Sequence, residues 1–179
     1  MSEKEIVVGI DALMRIARGA ERMASLAAVT LGPRGRPVIL ERAHGAPMIS
    51  RDGYEAACSV EFEDPVENQG AQAMLQAGAR SRDLTGDGAT TAMLLASATL
   101  HECVKAIVTG ANPAQVKKGL DRATGAVLEH LRDAAQPCRQ LPALERLAWA
   151  VSYGDQGVAS LSAQALSLIH ISEPTRLRR

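Results

Sequence analysis

Apolar residues recur every three or four positions along most of the chain, which is the pattern of helices with one buried face. The first such segment follows Asp11, which can cap a helix, and stops before Gly32-Pro33 because proline cannot continue a helical hydrogen-bond ladder. Its apolar positions are Leu13, Ile16, Ala17, Ala20, Met23, Ala24, Ala27 and Leu31. Before it, the short run from Glu5 to Gly9 predicts a strand.

Further helices are predicted where a capping residue or proline precedes an apolar-periodic run. They extend from Pro65 to about Arg82 with Asp64 as the cap, from Ala89 to Val108 with Gly110 after it, from Asn112-Pro113 to about Ala134, and from Leu144 to Val151. The third of these has an apolar face made by Val116, Leu120, Ala123, Val127, Leu128 and Leu131.

A small β component is predicted between the first two helices. Val38 to Leu40 and Met48 to Ser50 flank His44-Gly45-Ala46-Pro47, the pattern of a β-hairpin, and Asp52-Gly53 then predicts a turn. The chain is therefore expected to be mostly α, with one small hairpin.

Composition narrows the function classes. Of the 179 residues 46% are apolar and the formal net charge is zero, so a core is expected and a polyanion-binding surface is not. Only one Phe, one Trp and two Tyr are present, which argues against a base-stacking platform. We therefore expect no nucleic-acid partner.

Cysteine usage and the apolar runs bear on the compartment. Cys58, Cys103 and Cys138 are odd in number and far apart, which is typical of a reducing cytoplasm. The acidic start lacks the pattern of a signal peptide. The apolar stretch Ala92 to Leu100 is too short to span a bilayer and predicts at most a buried helix, so no membrane partner is expected.

One glycine-rich segment, Gly86-Asp87-Gly88-Ala89-Thr90-Thr91, precedes a predicted helix. A helix N-terminus offers unpaired N–H groups and a positive dipole end, which suit a phosphate. Thr90 and Thr91 can bond phosphate oxygens, and Asp87 offers the hard oxygen that Mg²⁺ prefers. From these residues alone, a glycine-rich turn with a threonine cap is the alternative.

Two other segments are weaker candidates by themselves. Thr30-Leu31-Gly32-Pro33 is either a second wall of a phosphate site or an ordinary helix stop. Arg51-Asp52-Gly53 either holds a carboxylate near a γ-phosphate, able to orient an attacking water, or is a turn after a strand. Taken singly, both are better explained as structural.

The three segments occur together and in order, and with the stretches around them the chain resembles the 60-kDa chaperonins of the bacterial GroEL type. The likeness covers about Glu5 to Ala165, and its stretches are VTLGPRGRPVIL, GAPMISRDG, EFEDPVENQGAQ, GDGATTA and GANPAQVKKGLDRA. Several long matches in order are far more specific than any one short motif.

The resemblance implies a domain plan and an ATP site. Residues 1–134 would be the N-terminal half of an equatorial ATPase domain, and residues 135–165 the start of an intermediate domain. Asp87 would bind Mg²⁺, and Asp52 would be the catalytic carboxylate near the γ-phosphate. The remaining nucleotide-binding positions would be Thr30, Leu31, Gly32, Pro33, Arg51, Gly88, Ala89, Thr90 and Thr91.

It also implies cofactors and partners. These are ATP and Mg²⁺, with K⁺ as a candidate further ion, a heptameric ring of identical subunits, unfolded protein substrates and a co-chaperonin. The hairpin from Val38 to Ser50 would touch the neighbouring subunit of the ring. The second catalytic aspartate and the adenine-side contacts lie beyond the matched stretches, so the chain alone is expected to show little ATPase activity.

The sequence departs from the family pattern in places. Ala89 stands where the family usually has threonine and Arg51 where it usually has lysine, and Tyr54 and Cys58 are also unusual. The alternatives are a non-catalytic chaperonin-like assembly subunit and a non-functional truncated reading frame. A small-molecule kinase built on the same turn is disfavoured, because no second nucleotide motif is present.

The last residues differ from the family. Leu166 to Arg176 resembles the in-frame translation of a transposon-type sequencing adapter. The alternative is a genuine short tail ending in Leu177-Arg178-Arg179. We expect residues 166–179 to be non-native and exclude them from the fold prediction.

Overall fold

The computed structural model describes residues 6–42, 45–136, 138, 140–152 and 154–172, with side chains as far as residue 168. Its elements are α1 (Gly9–Ala28), β1 (Val38–Leu40), β2 (Met48–Ser50), α2 (Gly53–Cys58), α3 (Pro65–Thr85), α4 (Ala89–Val108), α5 (Pro113–Ala134), α6 (Leu141–Val151) and α7 (Gln156–Ser172). The prediction of a mostly helical chain with one small hairpin is confirmed. Glu5 and His44 lie outside the described residues.

The N-terminal prediction is wrong in two respects. Ile6 to Val8 is not a strand, because no described segment pairs with it and an unpaired strand leaves its backbone groups unbonded. Helix α1 then begins at Gly9, with Val8 as an N-cap that makes no side-chain hydrogen bond. Asp11 is therefore not the cap but an acid in the first turn, where the helix dipole favours its charge.

Helix α1 also ends earlier than Gly32-Pro33. Its last residue is Ala28, and the Thr30 hydroxyl donates to the Ala27 carbonyl oxygen at 3.1 Å. The loop then closes on itself, since the Arg36 N–H donates to the Val29 carbonyl oxygen at 2.9 Å. Thr30 and the residues after it therefore belong to a loop and not to α1.

The two strands form the predicted hairpin. They pair antiparallel, with Val38 opposite Ser50, Ile39 opposite Ile49 and Leu40 opposite Met48. Because side chains alternate across a strand, Leu40 and Ser50 are buried while the Ile39–Ile49 pair is exposed.

A short helix, α2, occupies the position where a simple turn is predicted. Asp52 accepts hydrogen bonds from the N–H groups of Tyr54 and Glu55 and so is the N-cap of this helix. The same residue types are typical of a turn after a strand and of a helix N-cap. The six residues of α2 are too few for apolar periodicity to distinguish a turn from a helix.

The core of residues 1–121, the first of two compact units, lies between α1, α3 and α4. Its buried apolar members are Ala20, Met23, Ala27, Ala57, Ala71, Met74 and Met93. Helices α1 and α3 approach closely at two glycines: a Cβ on Gly19 would lie 1.8 Å from the Glu67 carbonyl oxygen, and one on Gly70 would lie 1.9 Å from that of Ile16. Small residues permit this contact because no side chain separates the two backbones.

Ion pairs reinforce the same contact between α1 and α3. Glu67 is buried on α3 and accepts hydrogen bonds from Arg18 at 3.1 Å and Arg22 at 2.7 Å. The predicted cap Asp64 is confirmed, and its carboxylate also pairs with Arg15 at 2.7 Å. The Arg15 guanidinium, together with the N–H groups of Val66 and Glu67, lowers the pKa of Asp64.

Helix α4 is less buried than its apolar sequence predicts. Met93 and Ser97 are buried, but Leu95 is 65% exposed. Among the described residues, Ala89–Val108 is the segment long and apolar enough to cross a membrane by length and composition alone, a criterion that core helices of soluble proteins also meet. The prediction that Ala92 to Leu100 is buried is therefore met only on one face of the helix.

The second compact unit spans residues 122–179. Helices α6 and α7 pack on each other there, with Leu144, Ala159 and Ala163 buried. Helix α6 begins at Leu141, three residues before the predicted start. Helix α7 continues without a break through residue 166, where the predicted adapter-derived tail begins.

Helix α5 crosses the boundary between the two units and has no buried residue. Asn112 caps it as predicted, since its side-chain oxygen accepts from the N–H of Ala114 at 2.9 Å. The predicted apolar face is present but exposed, with Val127 and Leu131 each 56% accessible.

Candidate functional site

The glycine-rich segment forms a tight connection between α3 and α4. Gly86 is the C-cap of α3 with φ 80°, and Gly88 is the N-cap of α4 with φ 77°. Residues with a side chain rarely adopt this left-handed backbone conformation. The two glycines therefore allow a turn in which other residues would be strained. Asp87 lies between them, and its side chain is exposed.

Hydrogen bonds hold Asp87 by both its main chain and its side chain. Its carboxylate oxygen Oδ1 accepts from the Gly88 N–H at 2.6 Å. Its carbonyl oxygen accepts from the hydroxyls of Ser81 at 3.0 Å and Thr85 at 2.9 Å. Asp87 therefore has a defined position although it lies on the surface.

The N-terminus of α4 has free hydrogen-bond donors. No side chain caps it, and the first-turn N–H groups of Ala89, Thr90 and Thr91 have no acceptor among the described residues. These donors and the positive end of the helix dipole favour an anion. Thr90 and Thr91 both lie in this first turn, and Thr90 is half-buried whereas Thr91 is exposed.

The other two candidate segments meet each other. A Cβ built on Gly53 would lie 2.6 Å from Thr30 Oγ1 and 2.3 Å from the Ala27 carbonyl oxygen. The end of α1 and the start of α2 are thus in direct contact. Leu31, Gly32, Pro33, Arg51 and Asp52 are exposed beside this contact.

The side chain of Asp52 has a structural task. Its Oδ1 accepts from the Tyr54 N–H at 2.8 Å and from the Glu55 N–H at 3.2 Å. The Asp52 N–H donates to the hydroxyl of Ser50, which in turn donates to Glu55 Oε2 at 2.5 Å. These bonds fix the carboxylate and leave its second oxygen, Oδ2, available for another donor.

The starts of α2 and α4 pack on the same residue of α3. A Cβ on Gly78 would lie 2.8 Å from the ring of Tyr54 and 3.1 Å from Met93 Cγ. Tyr54 belongs to the first turn of α2, and Met93 is in the second turn of α4. The described residues make no hydrogen bond between the Gly86–Thr91 segment and the other two, so this shared packing is what connects them.

Tyr54 and Cys58 contact each other within α2. A side-chain hydrogen bond with Cys58 raises the pKa of Tyr54, and partial burial raises it further. The Arg82 guanidinium, 5.6 Å from the ring centroid, acts in the opposite direction. The contact of Arg82 with the Tyr54 ring joins α2 to the last turn of α3, close to the glycine-rich segment.

A metal ion bound by protein groups alone finds no site in the described part of the chain, where no three His, Cys, Asp or Glu side chains cluster. Magnesium in nucleotide sites uses one or two carboxylates together with phosphate oxygens and waters. The exposed Asp87 carboxylate would supply the protein oxygen for such an ion, and the free N–H groups of α4 beside it would hold the phosphate.

A sequence profile of the TCP-1/cpn60 chaperonin family matches residues 23–176. The chain belongs to the TCP-1/cpn60 chaperonin family. This match includes all three candidate segments and extends past Ala165 into the predicted tail. The prediction of a chaperonin is thereby confirmed at the level of the family.

Solved chaperonin structures have the same fold. A group III chaperonin in the open state superposes with a TM-score of 0.77 at 25% identity, over 90% of this chain and 32% of that one. The chaperonin gp146 from bacteriophage EL 2 (Pseudomonas aeruginosa), in presence of ATP-BeFx, superposes with a TM-score of 0.78 at 21% identity, over 93% and 30%. This chain thus spans about a third of the length of these chaperonins, and the narrower GroEL-type assignment stays a prediction.

Some residues that shape the candidate site were missed by the sequence argument. Ser81 and Thr85 lie in the last turns of α3, and Ser50 ends β2. Serine and threonine are common in such positions, and only the fold shows which carbonyl or carboxylate each hydroxyl reaches. The sequence signal that could have indicated Ser81 and Thr85 is their position six and two residues before Asp87.

Proposed function

We propose that the chain is the nucleotide-binding part of an ATP-dependent chaperonin subunit. The observation that carries this proposal is the start of α4, where free N–H groups follow the fixed, exposed carboxylate of Asp87 in a member of the chaperonin family. One relative was solved in presence of ATP-BeFx, which supports a nucleotide as the ligand.

In this proposal each segment has a role in binding. The N–H groups of Ala89, Thr90 and Thr91 and the backbone of Gly88 hold phosphate oxygens at the α4 N-terminus. The loop of Thr30, Leu31, Gly32 and Pro33 lines the nucleotide, and Arg51 lies near its terminal phosphate. Asp87 holds Mg²⁺, which neutralises phosphate charge when bound.

Asp52 is the proposed catalytic carboxylate. Its Oδ1 is held by two N–H groups of α2, so a water could be oriented by Oδ2 without any movement of the side chain. Such preorganisation lowers the cost of positioning an attacking water. Arg51, adjacent to it, is always charged and offers several donors, whereas a lysine offers a single point charge.

The wider assembly belongs to the same proposal. The complete protein would form a heptameric ring of identical subunits, enclose unfolded proteins with a co-chaperonin, and work in the cytoplasm, with K⁺ as a further candidate ion. Residues 1–134 and 135–165 would be the equatorial half-domain and the start of the intermediate domain. The exposed Ile39–Ile49 pair of the hairpin supports a contact with the neighbouring subunit, because it would bury apolar surface.

Calorimetric titration of the chain with ATP and Mg²⁺ tests the proposal. We expect binding by the wild-type chain, loss of its Mg²⁺-dependent part in Asp87→Asn, and little hydrolysis. Asp83→Asn is the matched control, since it removes the same charge at an exposed position on α3. Wild-type binding that Asp87→Asn leaves unchanged would contradict the proposal, and robust hydrolysis by this chain alone would contradict the expected low activity.

A non-catalytic assembly subunit is the second candidate, favoured by Ala89. This residue is the first of α4 and is half-buried, and it brings no hydroxyl to the proposed phosphate site. Turnover by a full-length version should rise in Ala89→Thr if the missing hydroxyl limits hydrolysis. Equal, substantial turnover in both would exclude the non-catalytic assignment.

A further inference from the structure

Two hydroxyls from the end of α3 meet at the carbonyl oxygen of Asp87. Ser81 Oγ is 3.0 Å from this oxygen and Thr85 Oγ1 is 2.9 Å from it. Ser81 also limits the space beside the next residue, because a Cβ on Gly88 would lie 3.1 Å from Ser81 Oγ. The last turns of α3 thus contact the loop directly.

The two hydroxyls differ in the number of carbonyl oxygens that compete for their single proton. Each hydroxyl has one proton to donate. Ser81 donates to the Asp87 carbonyl oxygen, whereas Thr85 has a second acceptor, the Ser81 carbonyl oxygen at 2.9 Å. The proton of Thr85 is therefore shared between two carbonyls, and Ser81 supplies the undivided bond to Asp87.

These bonds restrict a segment that glycine leaves free. Gly86 and Gly88, on either side of Asp87, both adopt positive φ and can populate many other conformations. The backbone of Asp87 is held at two points. Hydroxyls of α3 bond its carbonyl oxygen, and carboxylate Oδ1 of the same residue accepts from the Gly88 N–H. Without the hydroxyls, the direction of this carboxylate relative to α4 would vary.

We propose that Ser81 and Thr85 are positioning residues that hold Asp87 for Mg²⁺-nucleotide binding. This inference rests on the proposed function, in which Asp87 is the magnesium ligand. The two residues touch neither metal nor nucleotide; they act through the main chain of Asp87. We expect the larger effect from Ser81, because its bond to the carbonyl oxygen is not shared and the second contact of Thr85, which accepts from the Asp87 N–H, is long at 3.5 Å.

Four variants of the whole chain test the proposal. Ser81→Ala and Thr85→Ala remove one hydroxyl each, and Thr85→Ser keeps the hydroxyl and serves as the conservative rescue. Thr99→Ala is the matched control, since the Thr99 hydroxyl also bonds a carbonyl one helical turn back, that of Leu95 at 2.7 Å, but lies within α4 away from the loop.

The first readout is amide hydrogen exchange in the nucleotide-free protein. The Gly88 N–H is the probe because it donates to Asp87 Oδ1. Loss of one hydrogen bond corresponds to roughly a fivefold to tenfold change in the opening equilibrium, so Gly88 exchange should accelerate by about that factor in Ser81→Ala. Thr85→Ala should accelerate it less, and Thr85→Ser and Thr99→Ala should not change it.

The second readout is the ratio of ADP affinities with and without Mg²⁺. We expect Ser81→Ala to reduce this ratio several-fold while the Mg²⁺-free affinity stays near the wild-type value, a change that a general loss of stability would not produce. Unchanged Gly88 exchange, or an unchanged ratio despite faster exchange, overturns the positioning role. A wild-type chain that binds no nucleotide instead overturns the proposed function itself, which distinguishes the two failures.

Discussion

Gly53 lies directly against Thr30, so close that a Cβ on Gly53 would be 2.6 Å from Thr30 Oγ1. The same Cβ would be 2.3 Å from the Ala27 carbonyl oxygen, which cannot move without displacing the end of α1. Two segments that the sequence offered as separate candidates, one after α1 and one before α2, are therefore parts of one contact.

Gly53→Ala is expected to destabilise this contact. The added methyl group overlaps backbone as well as side chain, and overpacking of this kind costs about 1–3 kcal/mol in the free energy of unfolding. Urea denaturation followed by circular dichroism measures it. Gly119→Ala is the control, since no atom lies within 4 Å of its Cβ and alanine is the better helix former. Equal stability of Gly53→Ala and wild type would contradict the contact.

Substitutions of Asp52 test its role as the N-cap of α2. Asp52→Ala removes the acceptor for the Tyr54 and Glu55 N–H groups and should lower the free energy of unfolding by about 1 kcal/mol. Asp52→Asn keeps a capping oxygen and should be close to wild type in stability. Thermal unfolding of both variants measures this difference; similar loss in Asn and Ala would show that the negative charge, and not the cap, is what stabilises α2.

Glu67→Gln should weaken the packing of α3 on α1. Glu67 is buried, with 7% of its side chain accessible, while Arg18 and Arg22 are 58% and 56% accessible. Charge-assisted hydrogen bonds contribute about 1.5–3 kcal/mol, and solvent screening of the arginines reduces this, so we expect a loss of about 1–2 kcal/mol. Denaturant titration measures the loss. Glu63→Gln, at an exposed position, should have no such effect.

Asp64 should make stability depend on pH in the acid range. Arg15 and two N–H groups lower its pKa below the ordinary 3.8, so the folded state holds the charged form more tightly than the unfolded state. This contribution is present above pH 3.8 and disappears as the pH falls through the lower, folded-state value. The difference in Tm between wild type and Asp64→Asn, which keeps a cap, should therefore be largest near neutral pH and shrink below about pH 4. A difference that grows on acidification would contradict the Arg15 pairing.

The origin of residues 166–179 is testable at the level of the gene. Sequencing genomic DNA across the codon for Ala165 should show chaperonin coding sequence continuing in place of the codons for Leu166 to Arg176. Finding the same tail codons in the genome would contradict the adapter assignment. The continuous helix α7 through this point does not decide between them, because alanine, leucine and isoleucine extend a helix whatever their origin.

The capped starts of α3 and α5 were predictable from sequence, whereas the capped start of α2 was not. Asp64-Pro65 and Asn112-Pro113 start α3 and α5 where expected, since the cap and the proline act locally on the adjacent N–H groups. The ends of α1 were not predictable in this way. Its N-cap Val8 makes no side-chain hydrogen bond, and its C-terminus is set by the contacts of Thr30 with Ala27 and Gly53.

Whether a short apolar run forms a strand depends on a second strand that pairs with it. Val38–Leu40 is a strand because Met48–Ser50 pairs with it, whereas Ile6 to Val8 has the same apolar character and pairs with no described segment. A strand is stabilised by bonds to another strand, which local sequence does not specify.

The sequence by itself determined the helix periodicity, the capped starts of α3 and α5, the hairpin and the family, because these depend on local residue order. The tertiary structure decided that Thr30 meets Gly53, that Gly19 and Gly70 let α1 and α3 touch, and that Ser81 reaches the carbonyl of Asp87. Each of these is a contact between residues distant along the chain or across a turn. Such contacts exist only after packing brings the backbones together, so no local pattern encodes them.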